Sequence, residues 1–101
     1  MSLYYLQKLL YDANRDRALR ARFLSDIDSV LPAYDLSEEE RRAFRDRDIG
    51  LLYVLGVNGQ LLMHISAHWG MDHIAYRAAL RAGVQRHGPV RAGLYAMTTE
   101  A

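Results

Sequence analysis

The chain has no cysteine. That excludes disulfides and thiolate metal sites, and leaves no redox compartment indicated. Proline is nearly absent as well, with Pro32 and Pro89 the two examples. No segment alternates polar and apolar residues over the length of a strand, so nothing argues for a sheet. No apolar run approaches the ~20 residues needed to span a bilayer. The start, "MSLYYLQKLLYDANRDR", lacks a basic leader ahead of its apolar residues. Neither sign of charge dominates: 13 basic residues face 12 acidic ones, for a net +1, so no polyanion is implied as a partner. The expectation is a soluble cytoplasmic protein with no membrane and no nucleic-acid partner.

Half of the 101 residues are hydrophobic and a quarter charged, the balance of an ordinary globular domain. The pattern is helical from end to end and predicts an all-α single domain of six or seven short helices over residues 1–83. A less ordered C-terminal tail is expected over 84–101. Ser2 can cap a first helix with Leu3, Leu6, Leu9 and Leu10 at helical spacing. Asn14 can open a second, with Ala18, Leu19 and Phe23 inward and a weak Asp16–Arg20 pair. A short third follows Ser25 or Asp26 and meets an obstacle at Pro32. Ser37-Glu38-Glu39-Glu40 is a capping box, in which the Ser37 hydroxyl and the Glu40 carboxylate each serve the other's backbone amide. Asp48 and Asn58 are caps for two more helices, ended by Gly56 and Gly70. A last helix is expected from His73 to about Ala82.

The helix from Asn58 to Trp69 raises the functional question. At about 100° per residue, Leu61, Leu62, Ile65 and Trp69 form one apolar arc that should face the core. Gln60, Met63, His64, Ala67 and His68 lie on the other side, and no formal charge occurs from Asn58 to Met71. An uncharged outer face is unusual on a small soluble monomer, and burial against another chain explains it better. The expected contact or pocket-lining set is Asn58, Gln60, Met63, His64, Ala67, His68 and Met71.

His64 and His68 sit four apart and could both reach one ion, but a third ligand is wanting. Asp72 lies ~12 Å from His64 along the axis, and His73 would point ~140° away from His68 in an unbroken helix. Ile65 stands where the His-Glu-x-x-His hydrolases place glutamate. No metal site is therefore expected in this chain, and no catalytic residue. Ser66 lies within a turn of His64 without an oxyanion-hole signature. "LGVNG" follows a helical segment rather than a strand, so it is no nucleotide loop. The same region loosely imitates a helix-turn-helix, but its second helix has no arginine or lysine for base edges and phosphates. Tyr4, Tyr5 and Tyr11 read as core or half-buried positions ahead of contact residues.

The run "YDLSEEERRAFRDRDIGLLYVLGVNGQLLMHIS", Tyr34 to Ser66, resembles the LigA-like small-subunit family of protocatechuate 4,5-dioxygenase and related extradiol ring-cleaving dioxygenases. The resemblance is carried by Leu36 and the capped acidic start Ser37 to Glu40, then Ala43, Phe44 and Asp48. Leu52, Leu55 and Gly56 with the apolar Leu61 and Leu62 complete it. The upstream "LLYDANRDRALRARFLSD" fits the family's early helices. This chain departs from the family's two-subunit members in ending soon after "VRAGLYAMTTEA", where they often have a longer segment that helps form a lid.

The resemblance implies a non-catalytic accessory subunit that packs on a large subunit and helps close its pocket from water. The cofactor, Fe(II) held by two histidines and a carboxylate, belongs to that partner, with none in this chain. Stand-alone relatives of this length could instead form a homodimer. Two other readings stay open: a homo-oligomeric helical module binding a small aromatic ligand through Trp69, Met63, Met71 and tyrosines, and a metal-dependent enzyme.

Overall fold

A computed structural model describes residues 2–91, with Ser2 described by its backbone only. The cap expected of Ser2 and the tail from residue 92 lie outside the described residues. Within them the chain is helical throughout, as its sequence predicts: α1 Ser2–Arg15, α2 Arg17–Ser25, α3 Ile27–Val30, a 3-10 turn Leu31–Ala33, α4 Glu38–Arg45, α5 Ile49–Val54, α6 Gly59–His68 and α7 His73–His87. None of these helices is long and apolar enough to cross a membrane.

The helices begin where side chains replace the partners that the first amides lack. The Ser37 hydroxyl accepts from the Glu40 amide at 3.2 Å, and the Glu40 carboxylate accepts from the Ser37 amide at 2.6 Å. Asp48 accepts from the Leu51 amide at 3.0 Å and Asp72 from that of Ala75 at 2.7 Å. One start differs from expectation. α1 runs through Asn14, and Asp16 opens α2 by accepting from the amides of Ala18 and Leu19. With Asp16 capping, the Arg20 guanidinium donates to the Asn14 carbonyl at 3.2 Å instead of pairing with it. Ala18, expected inside, is exposed.

Three helices end alike. After α4, α5 and α6 the chain makes a left-handed residue followed by a bond back five positions: Asp48 to Ala43, Val57 to Leu52, Met71 to Ser66. Gly56 and Gly70 occupy two of the left-handed positions, at φ 105° and 84°. The third is Arg47, at φ 51°. Its guanidinium donates to the Leu24 carbonyl at 2.9 Å and lies 5.9 Å from the centre of the Trp69 ring.

The core is drawn from every part of the chain. α1 contributes Leu6, Leu9, Leu10 and Ala13, and the middle helices Phe23, Val30, Phe44, Ile49 and Leu52, all buried. Burying each large side chain is worth about 2 kcal/mol against exposure. Phe23 meets Phe44 edge-on at 5.7 Å and stacks on Trp69 at 5.9 Å. α7 continues to His87, past the end expected near Ala82, because Gly83 is a packing position rather than a stop. A Cβ on Gly50 of α5 would lie 2.6 Å from both the Ala79 carbonyl oxygen and the Gly83 Cα. α5 and α7 thus cross backbone to backbone.

Candidate partner interface

α6 starts at Asn58, whose side-chain oxygen accepts from the amides of Gln60 at 2.9 Å and Leu61 at 3.3 Å. The Asn58 amide donates to the side-chain oxygen of Gln7 at 2.6 Å, which fixes α6 beside α1. Leu62, Ile65 and Ser66 are buried, with Leu61 half-buried at the edge of that stripe and Trp69 half-buried at its C-terminal end. The arc expected to face inward does so, and the Ser66 hydroxyl joins it by donating to the Met63 carbonyl at 2.8 Å.

The rest of α6 faces outward. Gln60, Met63, His64, Ala67 and His68 are all exposed, Met63 to 52%. Around the helix the exposed arc runs from Leu61 beside α1 through His68, His64, Gln60 and Ala67 to Met63, without an Asp, Glu, Lys or Arg. His68 is held below the ordinary imidazole range, first by partial desolvation and then by the nearby charges of Arg20 and His64.

A groove of about 490 Å³ separates α6 from α1, lined by Tyr4, Gln7, Lys8, Tyr11, Asn58 and Leu61. Tyr4 and Tyr11, expected at core or half-buried positions, are 59% and 49% exposed. They lie with Lys8 and Arg15 at positions i, i+4, i+7 and i+11, one stripe along α1. Helical spacing could have revealed that stripe; sequence alone did not say that it adjoins α6. Asn58 borders the groove, whereas Met71 lines a different cleft of about 350 Å³ with Asp48, Gly50, Gly83 and His87. There the His87 Nε2 stands 3.8 Å from an Asp48 carboxylate oxygen, beyond hydrogen-bond length. Trp69 is taken up by Phe23 and Arg47.

No three His, Asp or Glu side chains stand together as a metal cluster among the described residues. Among the described residues His64 and His68 therefore lack a third protein donor, and the pair by itself does not fit an iron site. The other perturbed groups are structural. The Tyr34 hydroxyl donates to Asp12 at 2.7 Å, and burial with that carboxylate raises it to about 12.

Among the described residues the domain is all-helical, holds no cluster of three metal-ligating side chains, and exposes one face of α6 that carries no Asp, Glu, Lys or Arg. The chain belongs to the LigA subunit family of the aromatic-ring-opening dioxygenase LigAB, whose family model matches residues 4–85. No curated protein and no solved structure matches the chain.

Proposed function

We propose that this protein is a non-catalytic accessory subunit of an extradiol aromatic-ring-opening dioxygenase. It docks on a catalytic large subunit of the LigB kind, which holds the Fe(II), and it helps close that subunit's pocket from water. Family membership supports the association. The observation that carries the assignment to a face is the bare, uncharged arc of α6. Gln60, Met63, His64, Ala67 and His68 contact the partner or line its pocket, with Asn58 and Met71 at the margins. A contact through this arc exchanges water for apolar and neutral polar groups without stranding a buried charge.

Co-expression with a LigB-type subunit from the same genome tests the reading. The two chains should copurify, and Met63→Glu should break the complex while leaving the helical content and melting temperature of the isolated chain unchanged. A large subunit that ring-opens its substrate at the same rate with and without this chain, and never copurifies with it, would sink the proposal.

A further inference from the structure

The charges around the α1–α6 face are distributed unevenly, and the imbalance describes the surface that fits it. Lys8 lines the groove and Arg15 reaches it through Tyr11, while the charge of Arg20, held at the end of α1 by the Asn14 carbonyl, is felt at His68. The nearby acids are already engaged within the chain. Asp12 takes the Tyr34 hydroxyl at 2.7 Å and lies 3.5 Å from Lys8. Asp16 caps α2. Arg15 donates to the Tyr11 hydroxyl at 3.0 Å and sits 5.0 Å over its ring, while Arg20 donates to a backbone carbonyl. Neither arginine has an acidic partner among the described residues. α6 supplies none either, being free of acids from Asn58 to Met71.

From this we infer that the α1–α6 face receives a protein surface with an apolar centre and a border of carboxylates, the carboxylates meeting Arg15 and Arg20. The inference rests on the accessory-subunit reading and specifies that partner's chemistry. The centre of the contact is the groove between the helices, where two exposed tyrosines offer broad, rigid contact area with few rotamers to lose. Arg15, already anchored by its hydrogen bond to the Tyr11 hydroxyl, presents a planar fork that suits bidentate capture of a carboxylate. Complementary charge at a rim acts mainly on the encounter rate. A second copy of this chain is a poor occupant, because this face has no free acid to receive the arginines of its twin.

The test measures association of the full chain with the LigB-type subunit by stopped flow, at about 0.05 M and about 0.5 M salt. The wild type is compared with the Arg15→Glu/Arg20→Glu double variant, both first shown to melt alike. The double variant should associate about tenfold more slowly at low salt, and high salt should close most of the gap. Equal rates at low salt, with a complex that still forms, would overturn the acidic border and leave the subunit reading standing. No complex for the wild type at either salt removes the subunit reading itself, and this occupant with it. Self-association of the chain that the double variant changes would make a second copy the occupant and overturn the inference.

Discussion

Arg47 occupies a left-handed position where its two counterparts are glycines. A residue with a Cβ there costs about 1 kcal/mol or more in backbone strain. What holds it is tertiary: the Leu24 carbonyl and the Trp69 ring both engage its guanidinium. Arg47→Ala loses both contacts and keeps the strain, whereas Arg47→Gly loses the contacts and sheds the strain. The glycine variant should therefore be the more stable of the two by about 1 kcal/mol in urea denaturation. If alanine proves the more stable, the left-handed strain is not what separates these variants. At Gly50 the constraint is space. A methyl placed 2.6 Å from a backbone oxygen and a Cα cannot be accommodated by a side-chain rotation. Gly50→Ala should cost about 3 kcal/mol, at the upper end for overpacking, and show as a lower denaturation midpoint. An unshifted midpoint would mean that α5 and α7 can separate freely.

Among the elements, α4 shows how far local rules reach. Its capping box closes within four residues, so the sequence alone specifies it, and Ser37→Ala should destabilise the fold by about 1 kcal/mol in thermal or urea unfolding. The caps of α5 and α6 were legible for the same reason: an aspartate or asparagine reaches an amide two or three positions on. Position 47 was not legible, because the contacts that enforce its geometry come from residues 23 and 22 positions away, Leu24 and Trp69. The full extent of α7 was not legible either, since a glycine that ends a helix and one that, like Gly83, lets two helices touch look the same in one dimension. The neutral arc of α6 was visible as a missing charge. The groove beside it was not, because it depends on Gln7 bringing α1 alongside.

The arc carries its own titration. His68 is depressed below the ordinary 6.5 by desolvation, Arg20 and His64. The unfolded chain thus takes up a proton at this site before the folded chain does, and stability rises with pH across the interval. The contribution is complete above pH 6.5 and is lost as pH falls through the folded value. Melting temperature measured downward from neutral pH should decline less in His68→Gln than in the wild type. Parallel declines would show that His68 is not the group responsible.

Across the whole molecule, the described chain closes on itself at Arg91. Its amide donates to the Val54 carbonyl at 2.8 Å, and its guanidinium grips both oxygens of Glu39 at 2.7 and 3.1 Å. The end of the described chain is thereby tied to the start of α4 and the end of α5. Glu39 sits in the first turn of α4, where the helix dipole also favours its negative charge. Its carboxyl is held below the ordinary value of 4.5, chiefly by the hydrogen bonds from Arg91. Both side chains are nearly half exposed, at 46% and 44%, so solvent and salt screen the pair and it is worth about 1 kcal/mol or less. The sign follows from the depressed carboxyl: the stabilisation is full above pH 4.5 and disappears as pH falls through the folded value. Arg91→Gln should lower the denaturation midpoint slightly at neutral pH and converge with the wild type in acid, and added salt should narrow the neutral difference. A gap that persists unchanged into strong acid would show that the ion pair is not what separates the two, since the backbone hydrogen bond to Val54 is kept in both.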